Sequence, residues 1–174
     1  MSEMVVKALV FGLFPALLVY GAATDIVGRR IPNWVSLALF GGFIALAIAS
    51  GMSLTDFGLS LAVAALAFAF GFFMFALGQM GGGDAKVIAA TVPWFGMTQE
   101  ALAYVVAFSV AGVIVTVPFL LRRIGFVQVA LASNPLSARL VAKSKHKRET
   151  PYGVALAAGG LLMVPVLARM HGVL

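Results

Sequence analysis

Six of the 174 residues are acidic, and two of those stand where acids are costly to keep. Asp25 closes the first long apolar run, and Asp84 follows the third, directly after Gly81, Gly82 and Gly83. Carboxylates inside a membrane or at its rim are expensive and usually functional. Two carboxyls a few ångströms apart cannot both ionise easily, so such a pair shares one proton and titrates in two separated steps. The charged member can take a proton from a water attacking a peptide carbonyl. The protonated member can donate to the carbonyl oxygen and then to the leaving nitrogen, which is the chemistry two carboxylates bring to amide hydrolysis. Which aspartate would be base and which acid stays open at this level.

Each residue also has a plain structural reading. Asp25 can be a solvated charge at headgroup level, four residues before Arg29. Asp84 can be the N-cap of the helix that follows, a position aspartate favours. The glycines can be a flexible loop, or can open backbone angles closed to other residues and let an extended chain approach the carboxylate. Lys86, two residues on, can meet lipid headgroups or help keep Asp84 charged, and takes no catalytic role. Pro32 and Asn33 suit the first turn and cap of the next helix. His146 and His171 read as solvated, and no serine or threonine has a partnered base.

The elements that position these residues are set by composition. The chain is 62% hydrophobic and 10% charged, with a mean hydropathy of +1.07. About 25% charged residues is ordinary for a soluble domain, so these charges cannot cover a water-facing surface of this size. Apolar runs cover 8–24, 34–50, 57–77, 87–97, 101–121 and 151–167. A membrane helix needs about 20 such residues, and in lipid the backbone must pair within helices. The sequence therefore predicts an all-α, polytopic helical bundle of about six transmembrane helices in one membrane-embedded domain, 1–174. The fourth run is short, contains Pro93, and suits a re-entrant or half-buried helix as well as a span.

Lysine and arginine concentrate on cytosolic loops. Counting six spans puts Arg29, Arg30, Lys86, Arg122, Arg123, Arg139, Lys143, Lys145, Lys147 and Arg148 on one side, and only Lys7 and Arg169 on the other. That asymmetry predicts both termini outside, Asp25 and Asp84 together on the cytosolic face, and a cytosolic basic loop over 122–150. Glu3, Asp56 and Glu100 then fall on the outer side, and Glu149 lies within the basic cluster. The net charge of +6 is accounted for by this loop as a topology signal and lipid contact, and no nucleic-acid partner is expected. A cleavable leader over the first run is disfavoured, because the arginines follow the apolar run rather than precede it. With no cysteine, a disulfide framework, a thiol nucleophile and a Cys-ligated zinc are excluded. No metal and no cofactor is expected.

Asp25 with Arg29-Arg30-Ile31-Pro32-Asn33, then Gly81-Gly82-Gly83-Asp84-Ala85-Lys86, and finally Pro151-Tyr152-Gly153 opening the last run, resemble the type IV prepilin peptidases, members of the GxGD membrane aspartyl proteases. The resemblance covers nearly the whole chain. It implies an inner-membrane endopeptidase that removes the short basic leader of prepilins or pseudopilins at the cytosolic face. Asp25 and Asp84 would be the catalytic pair, with Gly81 and Gly83 as structural support. Larger members carry a cysteine-containing cytosolic extension and methylate the new N-terminus. This chain departs from them, which implies a short form without methyl transfer, similar to the peptidases of tight-adherence (Flp-type) pilus systems. Two other classes compete: a proton- or ion-coupled transporter using the same carboxylates, and a non-catalytic scaffold of a pilus machine. The transporter reading lacks a visible inverted repeat and a midplane acid.

Overall fold

A computed structural model describes residues 2–28, 30–78, 80–121 and 152–174. Arg29, Pro151 and the basic stretch 122–150 lie outside the described residues. Among those described there are helices and turns and no strand. Seven helices follow in order: α1 Ser2–Gly28, α2 Asn33–Ser50, α3 Leu54–Ala76, α4 Gly82–Thr91, α5 Gln99–Leu121, α6 Tyr152–Leu162 and α7 Val164–Met170.

Each break has a local cause. Within α1 the turn Ala8–Leu13 is π-helical. Pro15 lies just beyond it, lacks an amide hydrogen, and would press its ring on the carbonyl four residues back, so the chain widens there instead of breaking. Gly51 ends α2 in the left-handed region, φ 68°, while Met52 N donates to Ala47 O at 2.9 Å; this closure satisfies the last carbonyls. Ser53 opens α3: its Oγ accepts from Asp56 N at 3.1 Å and donates to Asp56 Oδ2 at 2.7 Å. Asp56 is thereby a capping residue. The last apolar run does not stay straight. Pro165 opens α7 without an amide donor, and α6 and α7 meet at 47°.

By length and composition α1, α2 and α3 can each cross a membrane, and the bent pair α6–α7 makes a fourth if it forms one span. The described apolar stretch of α5 covers Gln99–Ile114. Helix α4 has 10 residues and runs into a 3₁₀ turn, Val92–Phe95. At ~1.5 Å per α residue and ~2.0 Å per 3₁₀ residue the two reach roughly 23 Å, short of a ~30 Å hydrocarbon core. The 3₁₀ turn is fully packed: Pro93, Trp94 and Phe95 are buried.

That turn anchors the core. Trp94 lies 4.8 Å from Phe14 between ring centroids, and its indole Nε1 donates to Leu39 O at 3.1 Å. Phe95 stacks on Tyr104, whose hydroxyl donates to Thr91 Oγ1 at 2.9 Å. A buried indole and a buried phenol are thus both partnered, as burial requires. The outer surface is apolar. On α3, Phe68, Phe70, Phe72, Phe73 and Phe75 are all exposed, the arrangement of a helix solvated by lipid. Small residues let helices close up, as in membrane bundles. A Cβ on Gly71 of α3 would meet Ala85 Cβ of α4 at 2.9 Å and its Cα at 3.0 Å.

His171 differs from its sequence reading. It is part-buried, with Nε2 3.5 Å from Trp94 O.

Candidate active site

Asp25 and Asp84 are both buried, at 7% exposure each. For Asp25 this corrects the picture of a solvated headgroup-level charge. It lies one turn before the end of α1, and its Oδ2 accepts from Gly153 N at 2.8 Å in a buried contact. Gly153 sits in the first turn of α6, where amides have no partner inside their own helix.

Asp84 is not the N-cap. Gly81 occupies that position with extended backbone, φ −70° and ψ 142°, and Asp84 is the third helical residue. A carboxylate in a first turn is favoured by the helix dipole. Asp84 N donates to Gly81 O at 3.1 Å, and a Cβ on Gly81 would stand 2.8 Å from Asp84 Oδ2. A side chain at Gly81 would therefore displace the Asp84 carboxylate, which lies over it. Neither it nor Gly82 nor Gly83 has a positive φ; on this side of the chain that role belongs to Gly78, φ 69°, just after α3. Gly83 lies beside Ile31: a Cβ there would make ordinary van der Waals contact, 3.4 Å from Ile31 Cβ and 3.6 Å from Ile31 N. Gly82 faces the Phe75 ring in the same way, at 3.4 Å.

Ile31 joins the two halves. Its Cβ and backbone pack on Gly83, next to Asp84, and its Cδ1 would be 3.0 Å from a Cβ on Gly153, next to the Oδ2 of Asp25. Ile31 is itself buried at 8% exposure. The segments carrying the two acids thus converge on one side chain at one end of the bundle. Lys86 turns elsewhere. Its Nζ donates to Asn33 Oδ1 at 2.9 Å, which ties α4 to the start of α2. Asn33 caps nothing: the N-cap of α2 is Pro32, with no side-chain capping bond.

Three contributors escaped the sequence reading of the site. Ile31 and Gly153 were seen only as letters of motifs, and Asn33 as a cap. A glycine placed in the first turn of an apolar helix, with no turn to make, is the one signal that could have marked Gly153. Among the described residues, no group of three or more histidines, cysteines or acids is arranged to hold a metal ion.

These features define a helical protein with membrane-capable spans and two buried aspartates on segments that meet at Ile31. The sequence model of the type IV leader peptidase family matches residues 12–117, a stretch holding both aspartates and Ile31, and the chain belongs to that family. No curated protein and no solved structure matches it.

Proposed function

We propose that Asp25 and Asp84 are the catalytic pair of a membrane endopeptidase that cuts the leader from prepilin-type substrates at the cytosolic membrane face. The observation that carries this reading is the burial of two of the six acids, with Ile31 lying between Gly153, which bonds Asp25, and Gly83, the neighbour of Asp84. A family of leader peptidases supplies the reaction class. In the mechanism, one aspartate takes a proton from the attacking water and the other donates to the carbonyl oxygen, then to the departing amine. Gly81 and Gly83 keep the approach to Asp84 narrow and free of side chains. Lys86 braces α4 against Asn33 and moves no proton.

The concentration of basic residues on one side supports an inner-membrane location, a cytosol-facing site and six spans in a single domain. The lack of cysteine in this sequence supports cleavage without methyl transfer. The test incubates membranes containing the protein with a prepilin and follows the substrate's size. Wild type shortens it, and Asp25→Ala and Asp84→Ala each abolish shortening while the protein still accumulates. Normal cleavage by either variant would refute the pair.

A further inference from the structure

We infer that Gly153 is a positioning residue for Asp25: its backbone amide fixes the carboxylate through Oδ2. The inference rests on the reading of Asp25 as catalytic and goes beyond it. It concerns a residue outside the stretch that the family model matches, 12–117.

The contact is a direct one, 2.8 Å from Gly153 N to Asp25 Oδ2, buried, between residues 128 apart in sequence. A main-chain donor has properties a side chain lacks. It is held by the first turn of α6 and has no rotamer to lose. It also carries no titratable proton, so it orients a carboxylate without entering the proton traffic between the acids. A lysine, histidine or tyrosine in its place would compete for that proton.

A side chain at this position would be crowded, and the reason is steric. Its φ is not in the left-handed region, since the positive-φ glycines are Gly51, Gly78, Gly96 and Gly172. A Cβ at 153 would instead stand 2.9 Å from Asp25 Oδ2, 3.0 Å from Asp25 Cβ and 3.0 Å from Ile31 Cδ1. Two of these three atoms belong to the aspartate itself. A methyl group here must therefore push the carboxylate, the Ile31 tip, or both. Because Ile31 also packs on Gly83, the same push reaches the segment that carries Asp84.

The test compares Gly153→Ala with the double variant Gly153→Ala/Ile31→Val, purified and assayed per folded molecule on a prepilin. Ile31→Val removes Cδ1 and so relieves one contact, but leaves both contacts with Asp25. Gly153→Ala lowers kcat by about 100-fold, the loss typical of ångström-scale misplacement of a reacting group, with KM within about twofold of wild type. The double variant stays slow. A wild-type kcat for Gly153→Ala, or full restoration by Ile31→Val, would overturn the inference, because the glycine would then serve packing alone. If Gly153→Ala does not accumulate, amide hydrogen exchange at Gly153 decides. It is faster in Asp25→Ala than in Asp84→Ala if the bond exists, and equal in the two if it does not. Asp25→Ala also keeps the two readings apart: cleavage by that variant counts against the catalytic pair, whatever Gly153 does.

Discussion

Replacing Asp25 with asparagine and with alanine separates what the carboxylate does for the fold from what it does for the reaction. Both substitutions remove the same ionisable carboxyl, so any proton sharing with Asp84 is lost equally in the two. They differ in what Gly153 N meets. Asparagine can turn its carbonyl oxygen toward the amide and keep the 2.8 Å bond. Alanine leaves a buried N–H in the first turn of α6 without an acceptor. An orphaned buried donor costs about 1–3 kcal/mol. At roughly 2–4 °C per kcal/mol for a chain of this size, the alanine variant melts about 2–12 °C below the asparagine variant. Activity follows a different order. Asparagine can neither take nor give the proton, so both variants lose at least the ~10²–10⁴-fold that a positioned acid or base contributes. The measurement is a thermal melt in detergent beside prepilin cleavage, for wild type and the two variants. Equal melting of asparagine and alanine would show that the Gly153 contact holds nothing. Cleavage by the asparagine variant within tenfold of wild type would show that Asp25 moves no proton.

Lys86→Met loses the bond to Asn33, an exposed pair worth at most ~1 kcal/mol, and cleavage stays within a few-fold; a loss like that of Asp84→Ala would return Lys86 to the chemistry. Thr91→Val strands the buried Tyr104 hydroxyl and lowers stability by about 1–3 kcal/mol, whereas Tyr104→Phe leaves Thr91 bonded to the Val87 and Ile88 carbonyls and costs about 1 kcal/mol; melts of the two variants check the order. Gly71→Val forces α3 away from the backbone of Ala85, the residue after Asp84, with an overpacking penalty of about 1–3 kcal/mol, so accumulation and cleavage fall together in membranes. The chain has no cysteine, so a single Lys86→Cys reports sidedness directly: an impermeant maleimide labels it in inverted vesicles and not in intact cells, and the reverse pattern would place the site outside.

The two acids were legible because a membrane sequence keeps so few of them, and the long runs of α1, α2 and α3 because lipid demands apolar length. What stayed hidden depends on contacts far along the chain. Nothing near Asp25 announces an amide 128 residues later, and the partnership of Lys86 with Asn33 spans 53. Three glycines in a row read as backbone freedom, yet none of them has a positive φ, and a Cβ on Gly81 would crowd Asp84 Oδ2. The single run 151–167 concealed a bend, since a proline inside an apolar stretch does not by itself tell whether a helix kinks or stops. The short fourth run was recognisable as short, but its tail was not recognisable as core. The 3₁₀ turn packs Trp94 on Phe14 of the first helix, a pairing that local sequence does not encode.

The tie between the first and last helices sets an order of events during synthesis. A ribosome emits Asp25 early and Asp84 soon after, so a growing chain holds both acids in the bilayer well before residue 153 exists. Until α6 is made and docks, the bond from Gly153 N to Asp25 Oδ2 cannot form. The surroundings of Asp25 are thus completed late, by a residue 128 positions further along the chain.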